Sequence, residues 1–98
     1  MPTYIFLTRW TDQGFVGAKG SVARTDAAVE RMERLGVRIF ETYWTVGEHD
    51  LVLVADCPDE ETAHAVTLDL ASGGNVRPTA MRAFDCGEMA AVLAKLDE

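Results

Sequence analysis

The chain has few cysteines, few basic residues and no long apolar run, and each shortage excludes a class of function. Cys57 and Cys86 are two isolated cysteines without CxxC spacing, which supports neither a disulfide scaffold nor a thiolate zinc site. Lys and Arg number 9 against 16 Asp and Glu, for a formal charge of -7. Nucleic-acid backbones are bound chiefly by clustered basic side chains, and the few present here are scattered, so no nucleic-acid partner is expected. The same charge repels anionic lipid surfaces, and no stretch nears the roughly 20 apolar residues that span a bilayer, so no membrane partner is expected either. The opening residues, Met1 to Trp10, carry no basic segment, long apolar stretch or small-residue cleavage site, and a cytoplasmic location is expected. His49 and His64 lack i, i+4 spacing, so no metal site is expected, and no cofactor is expected either.

What is present suits a globular domain. Apolar residues make up 48% of the chain and charged ones 26%, close to the averages of folded proteins. The length of 98 residues fits one domain, residues 1–98, with one core. Residues 3 to 10 alternate Tyr4, Phe6, Thr8, Trp10 against Ile5, Leu7, Arg9, which predicts a first strand. Thr11 to Gly14, with Gly17 and Gly20, mark a connection that has room for a short helical turn. From about Arg24 to Leu35 the period lengthens: Ala28, Met32 and Leu35 form a helical stripe, Thr25 or a neighbour caps it and Gly36 stops it. Residues 37 to 46 and 50 to 56 read as two strands of a hairpin. Pro58 ends the second of these, and Asp59-Glu60-Glu61 opens a helix with the stripe Ala63, Val66, Leu70. Residues 76 to 84 give a fourth strand, placed at an edge by Pro78. Asp85-x-x-Glu88 is a capping box that opens a last short helix bearing Met89, Val92, Leu93 and Leu96.

The order β-α-β-β-α-β plus a terminal helix predicts an α+β, ferredoxin-like fold with a four-stranded antiparallel sheet of order 4-1-3-2. Strands one and three read as a parallel pair in its middle. The predicted helix-covered face holds Tyr4, Phe6, Trp10, Phe40, Trp44, Leu51, Leu53 and Met81. The other face holds Ile5, Leu7, Ile39, Val52, Val54 and Phe84 among Arg9, Glu41, Tyr43, Asp50, Asp56 and Arg82. Leaving those six apolar side chains in water forfeits about 1.5–3 kcal/mol each, an upper estimate comparable with a whole domain's stability. A second copy of the chain covering that face resolves the problem, and a two-fold dimer is the commonest closed form.

Candidate binding residues follow from the same parity. Asp50, Tyr43, Glu41 and Arg82 are expected together at one end of the open face, as a pocket for a small carboxylic or polar ligand or as an Arg82–Asp50 ion pair at a subunit interface. Arg9 and Asp56 are expected to pair at the opposite end. His49 beside Asp50 invites an acid/base reading, but adjacent strand residues face opposite ways, which favours a structural role at the hairpin mouth. Trp10 and Trp44 read as core or rim aromatics and His64 as a helix-surface residue. The two cysteines, placed after strands expected to run antiparallel, fall at opposite ends of the sheet; Cys86, near a helix start, is the candidate reactive thiol.

Tyr4-Ile5-x-Leu7-x-x-Trp10-Thr11-Asp12-Gln13-Gly14, Tyr43-x-Thr45-x-Gly47-Glu48-His49-Asp50, and Gly74-Asn75-Val76-Arg77 with Arg82-Ala83-Phe84 together resemble the GYD domain proteins, over nearly the whole chain. His49 departs from the tyrosine that the family usually carries before its aspartate. The resemblance implies a ferredoxin-like fold of the dimeric α/β-barrel group and homo-oligomerisation, in a family whose activity is uncharacterised. Two functional readings stand at this point. One is a homo-oligomeric small-molecule-binding, sensing or accessory domain with its cavity on the open sheet face. The other, from fold analogy, is a cofactor-independent oxygenase or isomerase using Asp50, Tyr43 or His49 as acid/base groups.

Overall fold

The computed structural model describes residues 1–96. Its elements in chain order are β1 (Thr3–Trp10), α1 (Asp12–Val16), a single 3-10 turn (Ala18–Gly20), α2 (Ser21–Arg34), β2 (Arg38–Trp44), β3 (Leu51–Asp56), α3 (Glu60–Ser72), β4 (Val76–Ala83) and α4 (Cys86–Ala94). The strands form one sheet of order β2-β3-β1-β4, with Pro78 on edge strand β4 as its missing N–H demands. This is the α+β, ferredoxin-like arrangement. All three ladders are antiparallel, so β1 and β3 are not the parallel pair expected from sequence. The crossover through α2 makes β2 parallel to β1, and the hairpin through residues 45–50 then reverses β3 against both.

Strand direction moves several residues to new ends. β1 and β2 finish, and β3 and β4 begin, at the end carrying Trp10, Trp44, Leu51 and Val76, called here the hairpin end. β3 and β4 both finish beside Thr3, so Cys57 and Cys86 follow strands that end on the same side of the sheet, not on opposite sides. Both are free thiols, Cys57 buried and Cys86 exposed.

Alternation in β1 and β3 is strict. Tyr4, Phe6 and Thr8 are buried under the helices against Ala55, Leu53 and Leu51, while Ile5, Leu7, Val52 and Val54 point to the other face and are half-buried. Helix α2 presents Ser21, Thr25, Ala28 and Met32 inward, and α3 presents Ala63 and Val66. The core is Tyr4, Phe6, Met32, Val37, Leu53, Ala55, Cys57, Ala63 and Val66, with Ile39 and Leu70 packed against it. Helix α2 starts four residues before the predicted cap: Thr25 is an interior, buried position and Gly20 precedes the helix. Leu35 is left 48% exposed at the helix end, where Gly36 takes φ 85° and the Val37 N–H returns to the Met32 carbonyl (3.1 Å).

Two parity expectations fail. A β-bulge between Ile39 and Glu41 shifts the register of β2. Ile39 therefore faces the core opposite Ala55, and Phe40 lies beside Arg38, whose guanidinium sits 5.2 Å from its ring centre, on the side away from the helices. In β4, Met81 pairs with Ile5 on the open face and Arg82 pairs with Tyr4 on the helix side, the reverse of the expectation. Phe84 is past the end of β4, under the Arg82 guanidinium at 4.3 Å. Neither set of alternate residues in β4 is clearly the apolar one, and only the ladder to β1 orients it.

Candidate functional site

The open face of the sheet is a central strip of Ile5, Leu7, Val52, Val54 and Met81, with Phe40 and Tyr43 beside it on β2. No element of the chain's described residues covers it. Its charges are of both signs: Arg38 opposite Asp56, and Arg9 directly opposite Arg77, a like-charge pair that costs energy unless an anion approaches. Arg9 reaches Glu48 in the hairpin at 3.1 Å. Asp56 instead accepts from the Thr3 hydroxyl at 2.6 Å, so the expected Arg9–Asp56 pair does not form; the two lie at opposite ends of antiparallel strands.

The predicted cluster of Asp50, Tyr43, Glu41, Arg82 and His49 is joined only in part. Tyr43 and Glu41 share the open face, and the Tyr43 hydroxyl donates to Glu41 at 3.0 Å. That bond, followed by the charge of Glu41, raises the phenol's pKa. Asp50 is at the hairpin mouth with its carboxylate accepting from the Trp10 backbone N–H at 2.9 Å, while its own N–H donates to the Thr8 carbonyl and its carbonyl accepts from the Thr45 N–H. It extends the ladders past their regular end. His49 contributes its carbonyl, which accepts from the Thr45 hydroxyl at 2.6 Å. Arg82 is at the far end of the sheet and on the other side, where it donates to the Thr3 and Ala83 carbonyls and lies 3.7 Å from Glu88. Neither a five-residue pocket nor an Arg82–Asp50 pair is formed, because β4 begins at the hairpin end where it was expected to finish.

The distant sequence motifs meet at the hairpin end. Thr11 donates from its hydroxyl to the Gly74 carbonyl (2.6 Å) and from its N–H to the Asn75 carbonyl (3.0 Å), and the Gln13 amide donates to Gly73 and Asn75 (both 3.0 Å). Gly14 packs so closely on Asn75 that a Cβ there would overlap the Asn75 carbonyl oxygen. Thr11 to Gly14 and Gly73 to Asn75 thus form a latch between the end of β1 and the start of β4.

Beside this latch, on the helix side of the sheet, a cavity of about 390 Å³ opens between the first turns of α2 and the end of α3. Sequence reasoning missed it. Its polar lining includes Thr8, Ser21, Arg24, Thr25 and Asn75, over a floor of Leu51, Leu53 and Leu70, and Arg31 and Asp69 pair across the two helices at 3.0 Å. The signal present in the sequence was Thr8 at a core position of an otherwise apolar strand face, together with Ser21 and Thr25 one helical turn apart.

Among the described residues no group of His, Cys, Asp and Glu is placed to hold a metal ion, and no helix is long and apolar enough to cross a membrane. No solved structure matches the chain. A protein of Thermus thermophilus, described as a glutamine synthetase and cystathionine beta-lyase binding protein, is 32% identical over 94 residues, covering 95% of this chain and 99% of the relative. Residues 4–93 match the GYD domain, and the chain belongs to that family.

Proposed function

We propose that this chain is a non-catalytic accessory protein that acts by binding other proteins, and that it works as a homodimer whose subunits cover each other's open sheet face. The observation that carries the reading is the uncovered strip of Ile5, Leu7, Val52, Val54 and Met81 in the middle of the sheet. Each of these side chains still gains roughly 1 kcal/mol from losing its remaining contact with water, and together they outweigh a modest cost of association. A second copy supports the polar border too, since a two-fold operation brings a face with Arg9, Arg77 and Arg38 against one with Glu41 and Asp56. The exposed Tyr43 then borders the space between the sheets, where any small ligand of the dimer would be held. The binding role is supported by the relative's description and is carried over from it.

The cofactor-independent enzyme reading has no observation in its favour. It needs an acid/base group aimed at a substrate, whereas Asp50 is engaged with backbone, Tyr43 donates to Glu41 and His49 accepts from Thr45 through its carbonyl.

Light scattering on the purified chain is expected to give a dimer at micromolar concentration, and Val54→Asp is expected to give a folded monomer. A wild type that stays monomeric to millimolar concentration defeats the dimer. Binding is checked separately by surface plasmon resonance against glutamine synthetase and cystathionine beta-lyase of the host organism. Silence with both enzymes removes the partners carried over from the relative and leaves the dimer untouched.

A further inference from the structure

We infer that the cavity between α2 and α3 is a binding site for a small organic monocarboxylate with an apolar body. Donors and acceptors around the cavity are out of balance. Thr8 is 0% exposed at the floor, and its hydroxyl has no hydrogen-bond partner among the described residues. Arg24 donates through Nη1 to the Gly17 carbonyl at 2.7 Å, while its buried Nη2 has no partner among the described residues. A native fold tolerates such orphans rarely, because each forfeits its hydration without replacement. Thr8 and Arg24 are both among the residues that line the cavity.

The acceptors nearby already have donors. Asp69 is bound by Arg31, the Gly73 and Gly74 carbonyls are taken by Gln13 and Thr11, and Asn75 Oδ1 is taken by Gln13. Ser21 Oγ accepts from the Trp44 indole N–H at 2.9 Å, which leaves its own hydrogen to give. What remains among the lining residues is a guanidinium nitrogen and hydroxyl donors without an acceptor, a pattern that a carboxylate completes. One Arg nitrogen serves one negative charge; a dianion would leave the second uncompensated in a chain of net charge -7. The overall negative field is screened beyond about 8–10 Å at physiological salt, so the half-buried Arg24 guanidinium governs inside the cavity.

The backbone is shaped for this arrangement. A Cβ at Gly20 would lie 2.9 Å from Arg24 Nη1, and one at Gly17 would lie 3.3 Å from it, so the two glycines make the space in which the guanidinium folds back. The apolar floor of Leu51, Leu53 and Leu70 takes the ligand's hydrocarbon part, and the volume of about 390 Å³ lies within the range of small-molecule sites.

The site is on the opposite face of the sheet from the proposed dimer interface, so the two readings fail separately. The test is an amide NMR titration of the full chain with 4-methylpentanoate and, in parallel, its uncharged isostere 4-methylpentanamide. The carboxylate is expected to shift the Thr8, Ser21 and Thr25 amides with a Kd near or below ~1 mM, and the amide to bind at least about tenfold more weakly. Arg24→Gln is expected to lose at least about tenfold in carboxylate affinity. Thr8→Val, which exchanges the orphaned hydroxyl for a methyl, is expected to raise the melting temperature of the ligand-free protein while weakening the carboxylate. Equal affinity for acid and amide overturns the proposal, as does a Thr8→Val protein that binds the acid as wild type does. So does the absence of any shift up to about 10 mM, which would mark the cavity as a water-filled gap.

Discussion

At the residue scale, the two cysteines differ entirely by burial. Cys57 is fully enclosed, and desolvation, followed by the charges of Asp56 and Asp59, raises its thiol from 9.0 to about 11. A disulfide-exchange reagent at pH 8 is therefore expected to consume one thiol per chain rapidly, Cys86, and the second only on unfolding; two fast thiols would contradict the burial. The same shift sets an alkaline limit. Between the thiol's ordinary value and about 11 the unfolded chain releases a proton that the folded chain keeps, so stability falls as pH rises through that window. Cys57→Ala is expected to flatten this part of the denaturant-midpoint profile, at the cost of a small cavity. Asp50 illustrates a different lesson: a carboxylate that sequence alone offers to a ligand can be consumed by the backbone, here the Trp10 N–H.

At the scale of elements, the latch between Thr11–Gly14 and Gly73–Asn75 joins α1 to the start of β4. Gly14→Ala forces a methyl into the Asn75 carbonyl, and the chain must move apart there. The expected cost is about 1–3 kcal/mol by chemical denaturation, with faster amide exchange at Thr11, whose N–H bonds Asn75. A neutral Gly14→Ala would mean that the latch is not held. The strands and helices themselves were legible. Alternation placed β1 and β3 and their faces, and the proline placed β4 at an edge. The stripe Ala28, Met32 located α2, although the helix begins earlier because Ser21 and Thr25, polar by type, are buried on its inner face. The β2 bulge was not legible, since one extra residue leaves the sequence pattern nearly unchanged while reversing which side chain faces the core.

At the scale of the whole molecule, the chain is too extended for its length. Its Cα radius of gyration is 14.8 Å, with extents of 54 × 30 × 19 Å, against about 13 Å for a compact domain of this size. Helix α4 has a capping box at Asp85 and Glu88 yet buries none of its residues, and Met89, Val92 and Leu93 are exposed. A helix of nine residues held so loosely is expected to exchange its amides far faster than β1 in the Val54→Asp protein, itself expected to be a monomer. Truncation after Asp85 is expected to cost that monomer less than about 1 kcal/mol. Protection of α4 matching that of β1 in the monomer would show packing against the body of the chain.

Composition and local pattern determined the order and type of this chain's elements, because hydrophobic period and capping act over a few residues. The direction of β3 against β1, the facing of β2 and β4, and the separation of Arg82 from Asp50 were decided only by the tertiary structure. Each depends on hydrogen-bond ladders between segments far apart in the chain. The cavity belongs to the same class: Thr8 and Arg24 share it only once α2 crosses the sheet.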